Sequence, residues 1–147
     1  MPREFHFPVS VTWQGGRRTS ACVPGKRTIV IAPPPEFRGT DPDIWSPEDF
    51  FTAAAASCLA VTITGLAERA GVPLRALEVV GDGIVGKRDD GRFGFVRVEQ
   101  RVRLETDPGF EERARELVDE AEAGCLVEVS LDLPLHTEID VAVVAPV

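Results

Sequence analysis

The sequence feature that most constrains the fold is the segment at residues 46–71, which has helix signals at both ends and an apolar middle. Ser46 can cap the first free N–H groups, Pro47 fits the first helical position, and Gly71 can end the helix in a left-handed conformation. Between residues 50 and 61 nearly every side chain is apolar or small. A surface helix has a single apolar stripe, so this pattern predicts a helix that is buried on most sides.

This central helix also indicates how the chain is organised. A chain of 147 residues has the size of one domain, and we expect a single domain over residues 1–147. One layer of a small sheet cannot cover a helix that is apolar all round. The sequence therefore predicts a dimer that buries the helix further, with a well-packed monomer as the alternative.

Alternating apolar and polar residues indicate strands on both sides of the central helix. Residues 5–13 predict a half-buried strand, and two short strands follow at residues 19–23 and 28–32. The later predicted elements are hairpin strands at residues 77–87 and 93–104, a helix capped by Asp107 that runs to about Cys125, and strands at residues 127–133 and 137–143. This order predicts an α+β fold with largely antiparallel strands.

Composition excludes several classes of function. The net charge of −8 and the pI of about 4.8 argue against nucleic acids and anionic membranes as partners. We expect no apolar run long enough to span a bilayer and find no signal-peptide core in the first ten residues, which predicts a cytoplasmic location. No metal-ligand spacing and no nucleotide-binding loop occurs in the sequence, so neither a metal nor another cofactor is expected.

Cys58 on the central helix and Cys125 at the end of the second helix are the candidates for redox chemistry, since both lie on apolar helix faces. The simpler interpretation treats each thiol as a small buried hydrophobe, and we keep that interpretation for Cys22. A reactive thiol needs a lowered pKa, whereas burial alone raises it, so a nearby cation is required. Arg17 and Arg18 in the turn after the first strand are the candidates, and otherwise they are solvated turn residues.

Three segments together resemble the OsmC and organic hydroperoxide resistance (Ohr) family. They are the SPEDFF run at residues 46–51 with the alanines up to Cys58, the LVDEAEAGC run at residues 117–125, and the Gly-Gly-Arg turn at residues 15–17. The resemblance covers nearly the whole chain. It implies antiparallel sheets wrapped around two central helices in an intertwined homodimer, with two active sites at the subunit interface.

The same resemblance implies roles for individual residues. Cys58 corresponds to the peroxidatic thiol and Cys125 to the resolving thiol, while Arg17 and Glu48 support the thiolate. The implied function is a thiol-dependent peroxidase of oxidative-stress defence, which reduces organic hydroperoxides to alcohols through a sulfenic acid and then a disulfide. An external thiol reductant, of the lipoyl or another small-dithiol type, is the implied second partner. Leu126 departs from the many members with proline after the second cysteine, which indicates a divergent branch.

The spacing of Glu48 and Cys58 adds a geometric constraint. The two residues are ten positions apart, about 15 Å along a straight helix, so a single arginine bridging both would be stretched. Our hypothesis is that Glu48, with or without Arg17, serves the partner subunit's Cys58. A carboxylate in the first turn of a helix also stabilises that helix terminus, which is the simpler interpretation of Glu48.

Two other interpretations keep the same fold. One is a non-catalytic OsmC-like dimer that binds an apolar ligand or senses oxidants. The other is a structural protein with three buried, inert thiols, which would resist alkylation in the native state. They differ from the peroxidase in whether Arg17 reaches the Cys58 sulfur and whether Cys58 and Cys125 form a disulfide.

Overall fold

The computed structural model describes residues 2–145, and the chain forms two compact units, of which the first ends at Phe50. In the first unit three short antiparallel strands form a sheet in the order β1-β2-β3. These strands are Ser10–Trp13 (β1), Thr19–Cys22 (β2) and Ile29–Ile31 (β3). The turn between β1 and β2 requires glycine at two successive positions, because Gly15 and Gly16 have φ angles of 93° and 56°.

The N-terminal segment differs from the predicted half-buried strand at residues 5–13. Only Ser10–Trp13 is a strand, and all four of its residues are exposed. The apolar side chains of the predicted inner face are exposed as well, with Phe7 at 85% and Trp13 at 70%. The alternating pattern therefore marks an apolar face that no part of residues 2–145 covers.

Helix α1 (Pro47–Ala70) begins and ends where the sequence predicted. The Ser46 hydroxyl accepts a hydrogen bond from the Asp49 backbone N–H at 3.1 Å, and the Asp49 carboxylate accepts one from the Ser46 N–H at 2.8 Å. This reciprocal pair is a capping box. At the other end Gly71 has a φ of 68°, which ends the helix in the left-handed conformation.

Helix α1 has one buried face and one exposed face. The buried positions are Ala55, Leu59, Ile63 and Ala67. The exposed positions on the opposite side are Ala54, Ser57, Val61 and Thr64. Within the single chain, the prediction of a helix buried on most sides therefore holds for one face only.

The apolar length of α1 corrects the expectation that no segment is long enough to span a bilayer. An 18-residue stretch of this helix has a mean hydropathy of 1.8, so by length and composition alone the helix could cross a membrane. Core helices pass the same test, and α1 packs Leu59 and Ile63 into the hydrophobic core of the chain. Within the chain, 22% of this stretch is buried.

The second unit contains the larger sheet and the rest of the core. The hairpin strands β4 (Leu74–Lys87) and β5 (Phe93–Thr106) pair antiparallel, whereas β6 (Leu135–Val143) lies parallel to β5. The prediction of largely antiparallel strands therefore has one exception. Alternate residues of β5 are buried, and they pack with α1 and with the apolar face of α2 (Glu111–Gly124).

Two predictions near α2 are wrong. Asp107 does not cap this helix, because its carboxylate instead forms an ion pair with Arg75 at 2.7 Å and α2 begins later. Residues 127–133, predicted as a strand, overlap a short helix, α3 (Leu126–Ser130). Its valines favour a strand in isolation, but the burial of Glu128 against β5 overrides that preference.

We expect Ser46→Ala to lower the free energy of unfolding by about 1 kcal/mol, because it removes the acceptor of the Asp49 N–H. Urea denaturation at one fixed protein concentration measures the change. Ser57→Ala on the exposed face of the same helix is the control, expected within about 0.5 kcal/mol of wild type. Equal losses in the two variants would contradict the capping role of Ser46.

Candidate active site

Cys58 and Cys125 both belong to the second unit and lie next to each other there. Cys58 lies in the middle of α1 and is half-buried, whereas Cys125 joins α2 to α3 and is fully buried. Both are present as thiols. The Cys125 side chain acts on Cys58 through a hydrogen bond, so the two sulfur atoms are direct neighbours.

The surroundings of Cys58 favour its thiolate. Burial raises the pKa of the Cys58 thiol, but hydrogen bonds to its sulfur outweigh this effect and hold the pKa below its usual value. The strongest of these bonds comes from the Cys125 thiol, and the backbone N–H groups of Val127 and Leu126 add to it. The Thr62 hydroxyl also lowers this pKa, by less than Val127 and by more than Leu126, and it donates to the Cys58 carbonyl at 2.7 Å.

The surroundings of Cys125 favour the protonated form. Burial, and then the hydrogen bond to Cys58, raise the pKa of Cys125 to about 11. The backbone N–H of Glu128 lies near the Cys125 sulfur and opposes this rise. At neutral pH Cys125 therefore keeps its proton and donates it in a hydrogen bond to Cys58.

The pKa values of the two adjacent thiols are shifted in opposite directions, so the two sulfur atoms differ in reactivity. A thiolate attacks electrophiles and a thiol does not, so the lowered pKa makes Cys58 the more nucleophilic of the two sulfurs. Cys125 is placed to condense with an oxidised Cys58, since a sulfenic acid reacts with a neighbouring thiol to give a disulfide. The pair can thus undergo a two-electron oxidation within one chain.

Arg17 and Glu48 line one small pocket of the first unit, with a volume of about 180 Å³. The Arg17 guanidinium donates to the backbone carbonyls of Phe37 at 3.2 Å and Arg38 at 2.9 Å. One carboxylate oxygen of Glu48 is buried and has no hydrogen-bond partner within residues 2–145. Such an oxygen is costly to bury, so Glu48 is able to accept a donor that enters this pocket.

The neighbouring Arg18 has a different role from Arg17. Its guanidinium contacts both carboxylate oxygens of Asp41, at 2.5 Å and 3.1 Å. This hydrogen-bonded ion pair raises the pKa of Arg18 and lowers the pKa of Asp41. Arg18 therefore anchors the loop before α1, whereas Arg17 faces the pocket that contains Glu48.

Sequence reasoning missed a buried polar pair on the two elements next to the thiols, Gln100 of β5 and Glu128 of α3. The Gln100 amide donates to the Glu128 carboxylate at 2.6 Å, and the two residues are only 3% and 8% exposed. Gln100 left a signal, because it is a polar residue at an inward position of β5, between Val98 and Val102. Glu128 left none, since the wrong strand prediction put it on the outward side.

The sequence matches a model of a known protein family. The model of the OsmC-like protein family matches residues 39–140. The chain belongs to this family. The matched segment includes α1, part of the loop before it, and the Cys58 and Cys125 thiols.

One curated relative matches in sequence, and solved structures share the fold. YmaD of Bacillus subtilis (strain 168), described as uncharacterized, is 24% identical over 145 residues, which are 95% of each chain. An OsmC-like protein of unknown function from Vibrio cholerae matches with a TM-score of 0.84 and 19% identity, over 92% of this chain and 99% of that one. An organic hydroperoxide resistance protein from Elizabethkingia anophelis matches with a TM-score of 0.72 and 18% identity, over 95% and 99%. The resemblance to the OsmC and Ohr family and the α+β fold are confirmed.

We expect Cys125→Ala to shift the alkylation of Cys58 to higher pH, because it removes the strongest hydrogen bond that lowers the pKa of Cys58. The rate of reaction with iodoacetamide, followed by mass spectrometry across a pH series, gives the midpoint. In wild type this rate falls as the pH drops through the lowered pKa of Cys58.

Cys125→Ser is the matched control for this experiment, because its hydroxyl can still donate to the Cys58 sulfur. We expect its midpoint to lie between those of wild type and Cys125→Ala. An unchanged midpoint in Cys125→Ala would show that Cys125 does not stabilise the Cys58 thiolate.

Proposed function

We propose that this protein is a thiol-dependent peroxidase that reduces organic hydroperoxides to alcohols in defence against oxidative stress. The observation that supports the proposal most is the opposite shift of the pKa values of Cys58 and Cys125. A lowered pKa provides a nucleophile for a peroxide oxygen at neutral pH, and the adjacent thiol can resolve the oxidised product. Membership of the OsmC-like family, and the fold shared with an organic hydroperoxide resistance protein, agree with this chemistry.

The reaction would proceed in three steps. The Cys58 thiolate attacks one oxygen of the hydroperoxide, the O–O bond breaks, and the departing alkoxide takes a proton to become the alcohol. Cys58 is then a sulfenic acid. The Cys125 sulfur attacks it, so a disulfide forms and the sulfenic hydroxyl leaves as water with the Cys125 proton. An external dithiol of the lipoyl or a similar small type reduces the disulfide by exchange and is itself oxidised.

In this proposal Arg17 and Glu48 stabilise the Cys58 thiolate and position the peroxide. Two observations support their role. They line the same pocket, and a buried oxygen of Glu48 has no partner within residues 2–145. Since Glu48 and Cys58 are ten residues apart on α1, Glu48 serves the partner subunit's Cys58.

The active protein in this proposal is a cytoplasmic homodimer in which residues 1–147 form one OsmC-like domain. The exposed apolar surfaces support a dimer, because a stable monomer rarely leaves large apolar areas in water. Val61 on the outer face of α1 is 65% exposed, and the N-terminal segment with Phe7 and Trp13 is exposed still more. A second copy of the chain can cover both surfaces in a symmetric contact.

We expect wild type to lose two thiols rapidly after one equivalent of cumene hydroperoxide, because Cys58 and Cys125 form a disulfide. In Cys125→Ser the resolving thiol is absent, so a sulfenic acid accumulates on Cys58 and can be trapped with dimedone. Mass spectrometry measures both results, and Cys22→Ser is the control that should behave as wild type. Thiols that stay unchanged under these conditions would instead support a binding or structural OsmC-like protein.

We expect Arg17→Ala to slow the oxidation of Cys58 by cumene hydroperoxide by about a hundredfold, because it removes a cation that stabilises developing charge. Stopped-flow measurement of thiol loss gives the rate. Arg18→Ala is the matched control, since Arg18 is occupied by Asp41, and we expect it to stay near the wild-type rate. Equal rates in the two variants would remove Arg17 from the site.

A further inference from the structure

Three backbone N–H groups of α3 act on the two sulfur atoms. The backbone N–H groups of Leu126 and Val127 act on the Cys58 sulfur, and the N–H of Glu128 acts on the Cys125 sulfur. All three belong to a helix of five residues. A displacement of this short helix would therefore weaken the hydrogen bonds to both sulfurs at once.

Helix α3 has little of its own to hold it in place. A single turn of helix is not stable by itself, because nucleation costs more than its few hydrogen bonds return. Of its three apolar side chains, Leu126 and Val129 are 77% and 68% exposed, and only Val127 is half-buried. The Ser130 hydroxyl bonds to the Leu126 carbonyl at 2.7 Å, which is a contact within the helix.

A buried hydrogen bond from Gln100 of β5 to Glu128, 2.6 Å long, joins α3 to the sheet. Gln100 stands among the apolar inward residues of β5, at a position where a hydrocarbon side chain would cost less. Its own amide oxygen is buried without a hydrogen-bond partner within residues 2–145. Burying the Gln100 amide, with its oxygen unpaired, costs free energy. The hydrogen bond to Glu128 is the contact that offsets this cost.

We propose that Glu128, held by Gln100, is a positioning residue for the thiol pair: it fixes α3 on β5 so that the backbone N–H groups of α3 remain on the Cys58 sulfur. Glu128 does not contact a substrate in this proposal and takes no part in the redox steps. The inference concerns the same thiols as the proposed function, but it does not require that they react with a peroxide.

The charges around Glu128 agree with this arrangement. Burial raises the pKa of Glu128, the bond from Gln100 opposes that rise, and the carboxylate of Glu122 on α2 adds to it. On the side of the thiols, the charge of Glu128 helps to keep Cys125 protonated. The groups that face Glu128 from β5, α2 and the start of α3 are thus Gln100, Glu122 and Cys125.

The test is the pH dependence of Cys58 alkylation by iodoacetamide, measured on the full-length protein without any hydroperoxide. We expect Glu128→Ala to move the midpoint upward by about one pH unit, which leaves about tenfold less thiolate at any pH well below the midpoint. Glu128→Gln keeps a carbonyl that accepts from Gln100, so it should recover most of the wild-type midpoint. Glu122→Gln is the control that removes a nearby carboxylate without touching this bond, and its midpoint should match wild type.

A folded Glu128→Ala protein with the wild-type midpoint would overturn the proposal, and so would a Glu128→Gln midpoint equal to that of Glu128→Ala. If Glu128→Ala does not fold, as judged by circular dichroism, Gln100→Met decides the question, because it removes the donor with little change in shape. An upward shift in Gln100→Met would support the proposal, and an unchanged midpoint would overturn it. None of these results depends on peroxidase activity, so the two proposals can fail separately.

Discussion

The rest of the site depends on the hydrogen-bond donors around the Cys58 sulfur. A half-buried thiolate has lost much of its water, and donors fixed by the fold must replace that water. Here they come from the Cys125 side chain and from the backbone at residues 126 and 127. The core contacts of Leu59 on α1 and Leu117 on α2 therefore matter for chemistry as well as stability, because they keep the helices that carry the two sulfurs in contact.

The elements that the sequence predicted well are those whose signals act locally. Ser46, Pro47 and Gly71 set the ends of α1 through their own neighbours in the chain, so the helix boundaries were predictable without knowledge of the fold. The juxtaposition of Cys58 and Cys125 was accessible for a related reason, since each lies on the apolar face of its helix and apolar faces meet in a core. The backbone donors of α3 could not be predicted from the sequence, because every residue except proline has a backbone N–H group.

The wrong predictions share a physical cause, which is a contact absent from the local pattern. Residues 127–133 alternate as a strand does, but residues 126–130 form α3, in which Glu128 bonds to Gln100, 28 positions away in the chain. The alternation at residues 5–13 predicts a half-buried strand, yet nothing within residues 2–145 covers its apolar side chains. The hydrophobic periodicity of a helix or strand indicates which of its faces is apolar, but it does not indicate which other surface packs against that face.

The distribution of chromophores between the two units has a practical consequence. The chain contains two tryptophans and no tyrosine. Trp13 and Trp45 both belong to the first unit and are 70% and 54% exposed, whereas Cys58 and Cys125 belong to the second. Intrinsic fluorescence therefore reports on the first unit, and thiolate absorbance reports on the second once Cys22 of the first unit is replaced by serine. The molecule carries two optical reporters, one for the environment of each part, without the introduction of any label.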